Sequence, residues 1–167
     1  VDTAAIHLIG VSGGGYATLM AYLKLDMPIR SFNAWVPLSD LGSWYKESIA
    51  RGLKYAKDLE QVATVNGQFK PEELDYRSPL QLKGNNELLK HRELHLYTGI
   101  HDGYTGSVPV SHSLLFYNKM AAFLQPGKPE YRIPDSVIIA LLARRVTPLR
   151  PGDKTVFGSK IIYQQQL

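Results

Sequence analysis

The period of apolar and polar positions changes several times along the chain, and those changes divide it into elements. Residues 5–9 (Ala-Ile-His-Leu-Ile) form an apolar run too short for a helix, which predicts a short buried strand. A glycine-rich turn follows at 10–15. From 16 to 25 apolar side chains return every three or four residues among good helix formers, predicting a helix that Pro28 stops. Residues 31–36 predict a second strand, ended by Pro37. Strand, turn, helix, strand is the building unit of a parallel sheet.

The pattern continues with one amphipathic helix over 41–65, broken by Asn66-Gly67, and a short helix over 71–74. Arg77-Ser78-Pro79-Leu80 reads as an extended connection, because the residue before a proline avoids the helical region. A third strand is predicted over 94–98, a polar glycine-rich loop over 99–107, and a clear amphipathic helix over 110–124. The Pro/Gly/Lys stretch 125–134 reads as a linker or surface insertion, followed by a helix at 136–144 and a strand at 160–163. No internal repeat is present. The expected class is α/β, a mostly parallel sheet flanked by helices, with 41–92 a cap-like helical segment and 125–159 an insertion or surface segment within one domain over 1–167.

Composition narrows the chemistry. The chain has 167 residues, 44% hydrophobic and 20% charged, enough for one domain with a real core. Its longest wholly apolar run is 137–143, far short of the ~20 residues of a membrane-spanning helix, so no membrane span is expected. The absence of cysteine excludes disulfides, thiolate catalysis and Cys-based zinc sites. The net charge is +4, but the basic residues are scattered, with Arg144-Arg145 the densest pair; a nucleic-acid binder would concentrate them on one face. The charge therefore reads as a solvated surface, with an option on anionic substrates. His91 and His95 have the spacing of two helical metal ligands. Their order, His-Arg-Glu-Leu-His, misplaces a metalloprotease base, and His95 falls in a predicted strand, so no metal site is assigned. Compartment and assembly into a homo-oligomer stay open.

The turn after the first strand reads Gly10-Val11-Ser12-Gly13-Gly14, which fits Gly-x-Ser-x-Gly. A serine on a tight strand-to-helix turn is held in a strained conformation with its hydroxyl projecting above the sheet. Gly10 and Gly14 would let strand and helix approach closely, and the Gly13 N–H would help hold an oxyanion, typically worth ~3–4 kcal/mol to the transition state. A phosphate loop would end Gly-Lys-Ser/Thr where this one ends Gly15-Tyr16, and a dinucleotide fingerprint would need glycine where Thr18 stands. Tyr16, Trp44, Tyr45 and Tyr104 are candidates to line a pocket near Ser12, or they are ordinary packing aromatics.

Three segments in order carry a resemblance: the Ser12 motif; Pro37-Leu38-Ser39-Asp40 with Trp44-Tyr45; and Tyr97-Thr98-Gly99-Ile100-His101-Asp102 leading to Val108-Pro109 and a helix, with Arg77-Ser78-Pro79-Leu80 between the last two. Over about residues 2–124 the chain resembles the catalytic domain of the prolyl-oligopeptidase-like α/β-hydrolases, a group of peptidases and dienelactone-hydrolase-like esterases. The resemblance implies an α/β-hydrolase fold with Ser12 as nucleophile and Asp102 as the acid that orients the base. The loop 103–107 is longer than the family's. Asp40 is the alternative acid, read here as the cap of the following helix. The family order calls for a histidine after the acid, and His112 is the one that follows. Its place in a predicted helix makes it a packing residue and only a minor candidate for the base; His101, adjacent to Asp102, reads as a loop residue within reach of the site. The resemblance thus implies that the base histidine lies beyond residue 167 and the upstream strands before residue 1, which would leave this stretch alone a weak or inactive catalyst. The expected function is hydrolysis of a small acyl ester (or amide) without cofactor, an esterase first. A serine peptidase of the prolyl-oligopeptidase type is the alternative, and a non-catalytic binding member of the fold a further one.

Overall fold

In the computed structural model, which describes residues 6–143, 151–156 and 158–167, strand β1 (His7–Val11) runs into helix α1 (Gly13–Lys24), and β2 (Ser31–Trp35) follows. Only Ser12 separates β1 from α1, so the glycines on either side belong to the strand and to the first helical turn rather than to a turn of their own. Ala5, predicted to begin the strand, lies outside the described residues. β1 is half buried rather than buried: Leu8 faces the core, while Ile9 and Val11 are 66% and 62% exposed on the other face of this edge strand.

The single helix predicted over 41–65 is two, α2 (Leu41–Ala50) and α3 (Tyr55–Val62). The chain leaves α2 through Gly52 at φ 62°. There the Leu53 N–H donates to Ser48 O at 2.8 Å and the Gly52 N–H to Ile49 O at 3.1 Å, the paired bonds that close a helix on a left-handed residue. Asn66 and Gly67, both at positive φ, form a two-residue turn between β3 (Thr64–Val65) and β4 (Gln68–Phe69) instead of merely ending a helix. Helix α4 (Glu72–Tyr76) follows. Ser78, expected in an extended connection, links two turns, its N–H donating to Asp75 O and its carbonyl accepting from the Gln81 N–H; its buried hydroxyl donates to Leu74 O and accepts from the Leu41 N–H, which ties the end of α4 to the start of α2.

A short helix α5 (Asn86–Leu89), capped by the Asn85 side chain, leads to β5 (Glu93–Tyr97) and then to α6 (Ser111–Leu124). Asn118 of α6 accepts from the Ile133 N–H and donates to Ile133 O, which pins the stretch after α6 before α7 (Asp135–Leu142) begins. Arg144, the expected end of that helix, lies outside the described residues. The strand predicted at 160–163 is instead the second arm of a small antiparallel hairpin, β6 (Thr155–Val156) with β7 (Ser159–Lys160), and 161–167 has no regular structure.

β1, β2 and β5 form a three-stranded parallel sheet in that order, in register from His7↔Ser31↔Glu93 to Val11↔Trp35↔Tyr97. Leu8, Phe32, Ala34, Leu94 and Leu96 alternate onto one face and pack against Leu19, Tyr22 and Leu23 of α1 and Phe116 and Met120 of α6. A second core joins Leu38, Leu41, Trp44, Leu59, Ala63, Leu74 and Val108, so α2 to α4 pack beside the segments that leave the carboxyl ends of β2 and β5. A third links Val110 and Leu114 to Ile133 and Ile138. Because all three strands run the same way, Ser12, the 36–40 segment and the loop after β5 emerge at one carboxyl edge, the edge where open α/β sheets place their sites.

Candidate active site at the carboxyl edge of the sheet

Ser12 occupies φ 56°, ψ −115°, a conformation L-residues rarely adopt. Two contacts hold it: its N–H donates to Trp35 O at 2.9 Å and its carbonyl accepts from the Tyr16 N–H at 2.9 Å. The surroundings require small residues at two positions. A side chain at Gly10 would overlap the Gly14 carbonyl, and one at Gly15 would stand 2.8 Å from Trp35 O and 3.0 Å from Pro37 Cα. Gly14, to which the motif pattern assigned the close approach, has open space at its own Cβ position; it contributes through its carbonyl, which also accepts from Thr18 Oγ1 at 2.9 Å. Gly15 takes the role expected of Gly14.

The Ser12 side chain is exposed and does not cap α1. The opening N–H groups of α1, Gly13 among them, have no acceptor within the helix and stand at its positive end beside Ser12. A second strained residue lies next door. Val36, at φ 46°, donates its N–H to Tyr97 O at 2.7 Å as the chain turns out of β2.

Asp102 lies in the loop after β5. Its Oδ2 accepts from the Gly99 N–H at 2.6 Å and from Thr98 Oγ1 at 3.5 Å. β2 lies between the strands that carry Ser12 and Asp102, which sets those strand ends about 10 Å apart at ordinary strand spacing. No hydrogen bond joins the two residues.

Asp40, the alternative acid, caps α2: its Oδ1 accepts from the Ser43 N–H at 2.9 Å. His112 is 3% exposed on α6. Its Nδ1 accepts the backbone N–H groups of Ser39 at 3.1 Å and Asp40 at 3.2 Å, while Ser39 Oγ donates to His112 O at 2.8 Å. Two backbone donors on Nδ1 force the proton onto Nε2, which is buried without a partner. A triad base needs the opposite arrangement, Nδ1–H toward a carboxylate and a free lone pair on Nε2. Burial pushes the His112 pKa down to about 4, the Asp40 charge opposing, so the ring is neutral at pH 7 and serves packing.

The other histidines stand apart. His101 is exposed in the loop after β5, and its carbonyl accepts the Tyr104 and Thr105 N–H groups. His7 meets Ser31 Oγ at 2.8 Å; His95 lies on β5 near Glu93 and Tyr97; His91 follows α5, so the pair 91 and 95 shares no helix. None of them is hydrogen-bonded to Ser12 or Asp102. Among the described residues no cluster of His, Cys, Asp and Glu is suited to a metal ion.

The proposed pocket aromatics are placed differently from one another. Trp44 is buried in the second core and donates its indole N–H to Ser107 O at 3.3 Å. Tyr16 packs at the rim of that core with its hydroxyl donating to Arg77 O at 2.9 Å, and burial raises its pKa, the Arg77 charge opposing. Tyr45 turns toward Glu60 and Phe69, and Tyr104 is 65% exposed. Arg51, which no motif singled out, donates to Gly106 O at 2.7 Å and Ser107 O at 3.0 Å in the loop after β5. The signal that would have found it was Gly52: a glycine one position past the C-cap ends α2 and makes Arg51 the residue that caps it. No helix among the described residues is long and apolar enough to cross a membrane. Comparison with protein-family models, with curated proteins and with solved structures gives no match.

Proposed function

We propose that the chain carries the nucleophile and acid of an α/β-hydrolase-type serine hydrolase that cleaves an ester, or an amide, through an acyl-enzyme on Ser12. The observation behind this reading is the backbone of Ser12: a serine at φ 56° on a one-residue link between a parallel strand and a helix, with Gly10 before it and Gly15 after it admitting no side chain. Nothing in a merely connecting turn requires that strain, and an exposed hydroxyl beside free helix-terminal N–H groups has what acyl transfer needs.

In this mechanism Ser12 Oγ attacks the acyl carbon as a histidine takes its proton. The oxyanion that forms is held by the Gly13 N–H and the positive end of α1. Asp102 accepts the Nδ1–H of that histidine and stabilises the imidazolium; the imidazolium then protonates the leaving alcohol, and water, deprotonated by the same histidine, releases the acid. Among the described residues no histidine is set as the base: His112 has the wrong tautomer and is buried, and His101 makes no hydrogen bond to Ser12 or Asp102. A small acyl ester is the favoured substrate class.

A fluorophosphonate probe on the full-length polypeptide tests the reading. Covalent labelling at Ser12, found by peptide mass spectrometry and lost in Ser12→Ala, is expected. A folded protein that stays unlabelled under conditions that label a control serine hydrolase would refute the catalytic reading and leave the fold as a binding module.

A further inference from the structure

We infer that Arg51 is a positioning residue for Asp102, acting from the end of α2 through the backbone of the loop that carries the acid. The inference rests on the reading of Ser12 and Asp102 as nucleophile and acid.

The two oxygens of Asp102 are held differently. Oδ2 is fixed on the near side by the Gly99 N–H and Thr98 Oγ1. Oδ1 faces the returning arm of the same loop, where a Cβ added to Gly106 would stand 2.9 Å from it. Gly106 thus forms a wall close to Oδ1 that leaves no space for a side chain, and its position limits where the carboxylate can meet an imidazole N–H. A further bond, Val110 N–H to Asp102 O at 3.3 Å, ties the start of the loop to its end.

Arg51 fixes that wall. Its Nη2 donates to Gly106 O at 2.7 Å and its Nη1 to Ser107 O at 3.0 Å, so one rigid planar fork spans two successive carbonyls. Trp44, seven positions earlier and on the same helical face, donates to Ser107 O as well. The fork is aimed before the loop arrives. The Arg51 N–H closes on Glu47 O at 2.9 Å, and the Gly52 and Leu53 bonds lock the helix end on which it stands. Charge-assisted donors on a loop longer than its motif requires make a clamp, and the clamped residue beside the carboxylate is a glycine, which transmits position through backbone alone.

The test uses the full-length polypeptide and an activated ester, with Arg51→Met, the milder Arg51→Lys, Asp102→Asn, and Arg51→Met combined with Asp102→Asn. Arg51→Met is expected to lower kcat by about 10- to 100-fold with KM little changed, since misplacement of a catalytic group by about 1 Å is that costly. The acid limb of the kcat/KM profile should move to lower pH, because an imidazolium that loses its carboxylate becomes a stronger acid. Arg51→Lys, which can reach one carbonyl, should recover part of the rate. With Asp102→Asn already present, adding Arg51→Met should cost less than about twofold, because residues acting as one unit are not additive. Amide exchange at 102–107 should accelerate in Arg51→Met.

Losses that multiply in the double variant, an unmoved acid limb, or unchanged exchange at 102–107 would each overturn the assignment. If Ser12→Ala or Asp102→Asn retains wild-type rates, the nucleophile-and-acid reading is what has failed, and the role of Arg51 falls with it. If those two variants are crippled and Arg51→Met is not, only the Arg51 inference fails.

Discussion

Replacing His112 by asparagine should remove a pH dependence of folding stability. The native ring is held neutral, with its pKa pushed down from 6.5 to about 4 by burial. In the unfolded chain the same ring titrates near its ordinary value. Between those two values the unfolded state binds a proton that the folded state does not, so stability rises with pH across that window. The contribution is therefore fully present above the unfolded pKa and is lost progressively as pH falls toward about 4. At 1.36 kcal/mol per unit the full swing is about 3 kcal/mol, a large share of a small domain's stability. Asparagine suits the test because its Oδ1 can accept the Ser39 and Asp40 N–H groups that Nδ1 accepts now, while carrying no titratable proton. At pH 7.5 the variant should be weaker by about 1–3 kcal/mol from lost packing volume. Urea unfolding at pH 7.5 and 4.5 measures both effects, with the m-value checked for constancy. Groups that titrate alike in both proteins cancel in the difference of differences. Wild type should lose about 2–3 kcal/mol more than His112→Asn on going to the lower pH. Parallel losses would show that the ring protonates inside the fold, and the argument from its buried, doubly accepting Nδ1 would be wrong.

The glycines of the elbow separate by position. Gly14→Ala should raise stability by about 0.5–1 kcal/mol, since its Cβ meets nothing and alanine is the better helix former, whereas Gly15→Ala should cost about 1–3 kcal/mol by forcing Trp35 or Pro37 to move; chemical denaturation of both variants decides. Arg92 donates to the carbonyls of Ala21, Tyr22 and Leu25 at the end of α1 and lies 5.3 Å over the Phe32 ring, so Arg92→Met should cost about 1–3 kcal/mol and speed amide exchange in the last turn of α1. The hydroxyl of Ser48 is fully buried without a partner, so Ser48→Ala should be neutral or stabilising by about 1 kcal/mol; a clear loss in thermal denaturation would mean that a buried water satisfies it.

The parts of the fold that local period dictates were legible in the sequence. The 3.6-residue repeat of α1 and α6 and the apolar runs of β1, β2 and β5 appear where the pattern put them, with boundaries moved by a few residues. Misreadings cluster where one residue of special backbone overrides a continuing amphipathic pattern. Gly52 cuts the helical stretch after Arg51, and Asn66-Gly67 makes a hairpin whose arms are too short to show alternation. The site divides in the same way. Ser12 and its glycines are neighbours in sequence, so the strained strand-to-helix turn could be read directly, while the close approach expected of Gly14 falls on Gly15 because it depends on the distant Trp35 and Pro37. The partners of His112 are 72 and 73 residues away, and those of Arg51 are 55 and 56 away; no local pattern encodes such contacts.

The strain at Ser12 and the strain at Val36 belong to one construction. The Ser12 N–H bonds to Trp35 O, and the Val36 N–H bonds to Tyr97 O, so the sheet's hydrogen bonding continues one residue past the end of β1 and past the end of β2 before each chain turns away at positive φ. A left-handed β-branched residue costs on the order of 1–3 kcal/mol and persists only where its surroundings over-determine it. They do so here. The carbonyl of Trp35 accepts from Ser12 and also excludes a side chain at Gly15, as does Pro37, whose Cα would stand 3.0 Å from such a side chain. The end of β2 is therefore a template for the elbow: it sets how closely α1 approaches and where the Ser12 backbone is caught. The motif around Ser12 supplies residues able to adopt the conformation, and the strained exit of β2 holds them in it. Such strain does not stabilise the fold, which is why it supports the role proposed for the hydroxyl it presents.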